Sequence, residues 1–258
     1  WKDFCNWERF ICDSFPKMIS EPISYAIRKG KDGFQYEDDG FYFEEFYSTF
    51  GNYSELVESL LKQFYERFTF VQMYHCCRPI NTQRYYLLGI RALKMTEMNS
   101  RFKKLFLRNP KFPEITKTHI LATIEQHMAD SNKRHGYVYF GIDDRFLVNH
   151  CGHYLIYGSE YLQCLATLIE REIGCDLKSE LRKYGNPTVF AVRMPVSFFS
   201  EDDLRELVSK ALHMWAYNIA HSRTHSYELD FGKEIDQDFP SDYIIGHYHP
   251  KRIPDPSN

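Results

Sequence analysis

The chain has 258 residues, 43% hydrophobic and 26% charged, an ordinary globular composition with enough length to bury a substantial core. A formal net charge of -3 excludes a global positive field that would recruit nucleic acid, and no apolar run is long enough to cross a bilayer. The seven cysteines, odd in number, favour reduced thiols in a cytosolic protein over a disulfide framework. The chain opens at Trp1 rather than Met, so a trimmed start and a leader removed earlier both stay open.

The first quarter of the chain predicts little regular structure before one clear helix. Residues 1–50 have weak periodicity and end in the acidic, aromatic stretch YEDDGFYFEEFYSTF, interpreted as a lid or as a contact for a partner protein. A capping box over residues 52–55 predicts a helix with apolar residues at helical spacing as far as Phe68, and FTFVQMY then predicts a strand. We therefore expect an N-terminal helical accessory segment over residues 1–68 and a separate domain over residues 69–258.

The middle of the chain mixes short helices with short strands. Asn81 as N-cap and Gly89 as terminator predict a helix over residues 82–88, and a longer helix is predicted over residues 115–128. Between them, the segment from Arg78 to Lys111 carries nine basic residues against Glu97 alone. Such a run is either a solvated helix face or a surface that follows a phosphate backbone. From Tyr137 onward, YVYFGI, RFLV and HYLIY predict three short strands.

The last third alternates helices and strands. Ser159 and Gly174 predict the start and the end of a helix, and a capping box at Ser200 and Asp203 opens another. Strands are predicted over TVFAVRMPV, THSYELDF and DYIIGHYH. This order predicts an α+β or mixed architecture, and neither GxGxxG nor GxxxxGK occurs in the sequence.

A histidine and an arginine stand where the first strand ends, and three interpretations compete for them. In the first, His75 is a buried histidine bonded to a backbone carbonyl, and Arg78 makes a surface ion pair. The second is a metal site combining His75, Cys76 and Cys77 with a residue from Cys151, His153, His247 or His249. Adjacent residues of a strand face opposite sides and no CxxC occurs, which disfavours both a metal site and a cysteine nucleophile.

The third interpretation is a family resemblance carried by three stretches. YHCCRPINTQRYYLLGI resembles the first motif of the ADP-ribosyltransferase fold in its toxin-like His-Tyr-Glu form, and GHYLIYGSEYLQCLATLIE resembles the second. SYELDF followed by DYIIGHYHP stands where that family places its catalytic glutamate strand and the next strand. The resemblance covers residues 70–250 in pattern. It implies a split mixed or antiparallel sheet with flanking helices, and NAD as substrate.

The roles of individual residues follow from this resemblance. Cleavage of the nicotinamide–ribose bond develops an oxocarbenium-like cation that a carboxylate stabilises. That carboxylate is expected to be Glu228, with Glu234 and Glu160 as alternatives. His75 is expected to bind a ribose hydroxyl and Arg78 the pyrophosphate. The resemblance makes residues 69–258 the catalytic domain, with Glu228, His75 and Tyr157 as the expected catalytic residues. Four residues are expected to contact nicotinamide, with phosphate as a second option for the serine: Tyr139, Tyr154, Tyr157 and Ser159.

The resemblance implies a mono-ADP-ribosyltransferase, a bacterial or phage-related toxin or defence effector. Its acceptor is expected to be nucleic acid rather than protein, because Ser226 stands where arginine-modifying members carry an acidic or amide residue. An antitoxin protein is a further expected partner, and no membrane association is expected. The alternatives are an RNA 2′-phosphotransferase-like enzyme and a catalytically inactive module that binds a partner.

Overall fold

The computed structural model describes residues 4–14, 53–130, 136–220 and 228–255. Within these ranges the chain forms ten α-helices, five strands and two short 3-10 helices (Val196–Phe198 and Ser241–Tyr243). The helices are α1 (Phe4–Ser14), α2 (Tyr53–Arg67), α3 (Gln83–Leu88), α4 (Met95–Phe106), α5 (Lys117–Asp130), α6 (Asp144–His150), α7 (His153–Ile156), α8 (Glu160–Ile173), α9 (Lys178–Leu181) and α10 (Glu201–Ala220). The strands are β1 (Phe70–Cys77), β2 (Val138–Gly141), β3 (Thr188–Pro195), β4 (Gly232–Ile235) and β5 (Ile244–Tyr248).

The five strands form one sheet in the order β4-β2-β1-β3-β5. The pairs β1–β2, β2–β4 and β3–β5 are antiparallel, with Tyr74 opposite Gly141 and Tyr139 opposite Glu234. β1, the strand that carries His75, is central. The α+β class is therefore confirmed, and the specific ADP-ribosyltransferase fold stays a prediction.

The chain divides into two compact units, each made of two segments. The first unit holds residues 1–72 and 194–231, and the second holds residues 73–193 and 232–258. In the first unit, α10 packs against α1 and α2. The core of this unit contains Phe10, Leu60, Phe64, Leu207 and Trp215, all buried. The division predicted at residue 69 follows the family resemblance, and it stays a prediction.

The second unit contains an apolar core formed by helices, in addition to strands of the sheet. α4, α5, α8 and α9 bury a continuous cluster that includes Phe102, Phe106, Ile120 and Leu165. These residues recur every three or four positions along their helices, the spacing that places them on one face. The sequence prediction described residues 95–106 only as a basic segment, because charged side chains obscured this apolar spacing.

Most of the predicted helix boundaries are confirmed by side-chain contacts. The Ser159 hydroxyl accepts from Leu162 N at 3.4 Å, as an N-cap does. Asn81, the predicted N-cap of α3, lies one residue before the N-cap Thr82, although its side chain accepts from Gln83 N at 2.8 Å. Ser200 and Asp203 form the reciprocal capping box, with N–H to side-chain oxygen distances of 2.7 and 3.1 Å. Gly174 ends α8 at φ +70°, a left-handed conformation that glycine adopts without strain.

Two predicted strands are wrong: RFLV lies in α6, and HYLIY forms α7 and its C-terminal residue Tyr157. Asp143 starts α6, since its carboxylate accepts from Arg145 N at 2.9 Å. Tyr157 N donates to His153 O at 2.9 Å, which closes the turn of α7. A short apolar run fits a buried strand and a buried helical turn equally well, so periodicity alone could not separate them.

The predicted glutamate strand is placed differently from the expectation. Residues 228–230 belong to no strand, and β4 begins only at Gly232. The strand predicted over THSYELDF is therefore wrong for residues 228–230. Ser226 and the acidic stretch over residues 36–50 lie outside the described residues. The second strand of this pair is confirmed as β5.

Candidate functional site

His75 lies near the end of β1 with its ring held in one orientation. Its Nδ1 is 2.9 Å from the carbonyl oxygen of Tyr139 on the neighbouring strand, and its ring centroid is 5.7 Å from that of Phe140. A carbonyl only accepts, so Nδ1 carries the proton and the neutral ring presents a lone pair at Nε2. Burial lowers the pKa of His75, while the bond to Tyr139 opposes this effect. His75 is therefore a neutral hydrogen-bond acceptor at neutral pH.

Tyr139 and Glu234 lie on one face of the sheet, and the His75 ring lies on the other. Tyr139 is 43% exposed and lies opposite Glu234, whereas Phe140 is buried on the other face. The His75 ring packs against Phe140, so it belongs to the Phe140 face. Glu234, the first alternative carboxylate, thus lies on the opposite face of the sheet from His75.

Arg78 is bound to backbone carbonyls. Its Nε donates to Tyr184 O at 3.1 Å, and its Nη1 donates to Leu155 O at 2.7 Å. Its Nη2 donates to Gly185 O at 2.8 Å and also to Arg182 O. Arg78 is buried, and these four bonds join α7 to the loop after α9. The geometry favours a structural role for Arg78, and its contact with pyrophosphate stays a prediction.

The two tyrosines of the second motif each bond to a carboxylate. Tyr154 donates to Glu160 Oε2 at 2.8 Å. The carboxylate of Glu160, the second alternative to Glu228, is therefore bonded to a residue nearby in the chain. Tyr157 is buried, and its hydroxyl donates to Asp255 Oδ2 at 2.7 Å. The Arg182 guanidinium lies over the Tyr157 ring at 4.8 Å and donates to both Tyr157 Oη and Asp255. The prediction that these tyrosines lie on a strand is wrong, because Tyr154 lies in α7 and Tyr157 is its C-cap.

Ser159 serves as the N-cap of α8, and its hydroxyl also lies 3.7 Å from the sulfur of Met98. It therefore sits beside α4 at the start of a helix, where backbone N–H groups are available to an anion. Binding of nicotinamide or phosphate by Ser159 stays a prediction.

The cysteines at the end of β1 are protonated thiols. Burial raises the pKa of Cys77 to about 12, although a hydrogen bond with Tyr85 and the positive charge of Arg101 act to lower it. Burial also raises the pKa of Cys76 well above its usual value, and negative charge on Cys77, Cys151 and Asp144 adds to this effect. Neither residue is a thiolate nucleophile at neutral pH. Within the described ranges, no group of three histidine, cysteine or carboxylate side chains is placed to hold a metal ion.

Two arginines near the end of β1 were not singled out from the sequence as site residues. Arg101 on α4 acts electrostatically on Cys77, Arg78 and Tyr85, and Arg84 on α3 acts on Tyr85. Neither makes an ion pair with any residue in the described part of the chain, and Arg101 is half-buried. No carboxylate of the described residues pairs with these two charges, which suits an anionic ligand. The sequence could not identify Arg101 as a site residue, because only the packing of α4 brings it close to the end of β1.

Glu228 belongs to the first unit, and the other predicted site residues belong to the second. It is half-buried and follows α10 by eight residues, at the start of the described segment that leads into β4. Its assignment as the catalytic carboxylate rests on the sequence resemblance alone.

No helix in the described ranges is long and apolar enough to span a membrane. Searches with this chain found no match among protein-family models, among curated proteins or among solved structures.

Proposed function

We propose that this protein is an NAD-dependent mono-ADP-ribosyltransferase of the toxin or defence-effector kind, acting on a macromolecule. The observation that carries the proposal is the state of His75: a neutral ring at the end of a central strand, with Nδ1 tied to Tyr139 O and Nε2 available as an acceptor. A ribose hydroxyl is a suitable donor for such a nitrogen. The uncompensated charges of Arg84 and Arg101 supply positive potential for the pyrophosphate.

The proposed catalytic carboxylate is Glu228. Of the alternatives, Glu160 is bonded to Tyr154, and Glu234 lies on the sheet face away from the His75 ring. A carboxylate stabilises the oxocarbenium-like transition state, and it contributes little to binding of the uncleaved dinucleotide. Tyr139 is exposed on the same sheet face as Glu234, so this proposal does not use it as a contact for the nicotinamide ring.

Nucleic acid is the proposed acceptor. Six basic side chains of the segment between Arg78 and Lys111 make no ion pair with a described residue: Arg84, Lys94, Arg101, Lys103, Lys104 and Arg108. Only Arg91 and Lys111 of this segment are paired with carboxylates of the described residues: Arg91 with Glu97 and Asp238, and Lys111 with Glu180. Unpaired basic groups clustered in one segment suit contact with a phosphate backbone.

The experiment incubates the protein with NAD labelled in the adenylate moiety and a mixture of RNA, DNA and protein, and then separates the three pools. Label in nucleic acid supports the whole proposal, and label in protein alone contradicts the acceptor. Glu228→Gln should lower the rate by about two to four orders of magnitude while NAD affinity is retained.

Glu234→Gln and Glu160→Gln are the matched controls, since each removes one carboxylate charge elsewhere. Both should retain most of the activity. Full activity in Glu228→Gln together with little activity in one of the controls would show that the residue changed in that control, and not Glu228, is the catalytic carboxylate. Absence of NAD binding to the wild-type protein, measured by calorimetry, would refute the function.

A further inference from the structure

The second unit contains a cluster of Tyr157, Arg182 and Asp255 that the proposed reaction does not use. The Tyr157 hydroxyl and the Arg182 guanidinium both donate to the same atom, Asp255 Oδ2, at 2.7 and 2.5 Å. Two donors converging on one oxygen is the arrangement that proteins use to bind a phosphate or carboxylate oxygen.

The framework around these two donors is rigid. Arg78 holds the backbone carbonyls of Arg182, Tyr184 and Gly185 on one side and that of Leu155 on the other. Asn186 N also donates to Pro79 O at 3.0 Å, so the loop after α9 is fixed to the chain just beyond β1. Arg182 and Tyr157 are therefore held in place by contacts that do not involve Asp255.

Asp255 arrives on a segment of a different character. Residues 251–255, called here the C-terminal strap, belong to no helix or strand. The strap passes close to Gly152, where an added Cβ would lie 2.4 Å from Pro254 O and 2.9 Å from Ile253 Cγ2. The Arg182 side chain is 45% exposed even with Asp255 bound, so a ligand can approach it from solvent.

We propose that Tyr157 and Arg182 form a binding subsite for the phosphate group of a ligand, and that the Asp255 carboxylate is a tethered occupant which that ligand displaces. A tethered group competes at a high effective concentration, so its removal increases the apparent affinity for the external anion. A pyrophosphate carries more negative charge than one carboxylate and offers more acceptor oxygens to the same two donors. The subsite does not depend on NAD being the substrate.

The test measures binding of inorganic pyrophosphate by calorimetry. Asp255→Asn should tighten binding by about three- to tenfold, because the tethered charge no longer competes. Gly152→Ala keeps all three side chains, and its Cβ would displace Pro254 O and Ile253 of the strap. Because the same Cβ would also lie 2.9 Å from Val148 O of α6, the melting temperature of this variant is compared with that of the wild type. This variant should also bind pyrophosphate more tightly than the wild type does. Arg182→Gln should abolish most of the binding.

Asp242→Asn is the matched control, since Asp242 is exposed, lies in the same unit and carries the same charge. It should leave pyrophosphate affinity unchanged. Hydrogen exchange of residues 250–255 should increase when pyrophosphate is added to the wild-type protein. Equal affinity in wild type, Asp255→Asn and Gly152→Ala, or normal binding in Arg182→Gln, would overturn the inference.

Two further ligands identify the natural source of the phosphate. NAD and a short RNA oligonucleotide are added separately, and the ligand that increases exchange in the strap is the one that uses the subsite. Release of the strap by pyrophosphate together with failure of NAD to bind would leave this inference standing and refute the proposed function, so the two fail independently.

Discussion

At the scale of single residues, the two nitrogens of His75 have separate tasks. Nδ1 is bonded to Tyr139 O, and Nε2 is the proposed acceptor for the ligand. His75→Ala should therefore weaken NAD binding by about 1 to 3 kcal/mol, the usual value of a hydrogen bond in a charged ligand site, with little effect on folding. Calorimetry at neutral pH measures the change, and an unchanged affinity would remove His75 from the site.

The protonation of His75 adds a pH dependence with a definite sign. Its pKa is lowered from 6.5 by burial, so the ring stays neutral through the neutral range and becomes charged only at more acidic pH. A protonated Nε2 no longer accepts, so NAD affinity should fall as pH drops through that lowered pKa. His75→Ala should lack this decline, and a decline that persists in the variant would assign it to another group.

Arg78 illustrates how a residue at a binding motif can serve the fold. Replacement by lysine keeps the charge but leaves several buried carbonyls without a donor, since one amine cannot reproduce the guanidinium fork. Arg78→Lys should lower the free energy of unfolding by about 3 kcal/mol, measured in urea, and increase hydrogen exchange over residues 182–186. NAD affinity of the folded protein should change little. Normal stability with weakened NAD binding would instead support the pyrophosphate contact that the resemblance implies.

At the scale of elements, α4 joins the apolar core to the basic surface. Phe102 and Phe106 are fully buried, while Lys104 on the same helix and Arg108 just after it are exposed. Changing Lys103, Lys104 and Arg108 to glutamine should reduce the salt dependence of nucleic-acid binding by up to about three in log–log slope, nearly one for each phosphate that these side chains neutralise. Filter binding across a range of salt concentrations measures the slope.

The control for this prediction replaces three exposed basic residues elsewhere, Lys62, Lys117 and Arg171, by glutamine. It changes the net charge by the same amount and should leave the slope near its wild-type value. Equal slopes in the two triple variants would show that α4 does not contact the acceptor.

Sequence patterns identify the helices whose ends carry a recognisable capping side chain or a terminating glycine. Ser159 and Gly174 bracket α8 and are read directly from the chain, whereas α7 has no comparable signal and was mistaken for a strand. Contacts between distant residues have no local signal at all. Tyr157 meets Asp255 across 98 positions, and Arg78 meets Gly185 across 107. The family resemblance could therefore propose His75 as a site residue, but it could not separate the carbonyl-bound Arg78 from Arg101, which makes no ion pair with a described residue.

At the scale of the whole molecule, each compact unit is built from two separate stretches of chain. The chain leaves the first unit after Gln72, returns at Met194 and leaves it again after Phe231. Cutting the chain before residue 69 would remove α1 and α2, against which α10 buries Leu204, Leu207 and Val208. All three tryptophans of the sequence, Trp1, Trp7 and Trp215, fall in the residue ranges of the first unit. Tryptophan fluorescence therefore reports on that unit selectively.

The last prediction uses this probe to follow the acid stability of the first unit. Burial, with a smaller contribution from the charge of Lys210, lowers the pKa of His213 on α10 to about 4. An unfolded histidine titrates near 6.5, so the unfolded state binds more protons between these values. The contribution of neutral His213 is complete above about pH 6.5 and is lost as pH falls toward 4, by about 3 kcal/mol in all. His213→Gln should flatten this part of the stability curve, measured by urea unfolding at a series of pH values. His150→Gln, which removes an exposed histidine from the second unit, should leave the curve unchanged. A His213→Gln curve parallel to that of the wild type would place the acid sensitivity in other groups.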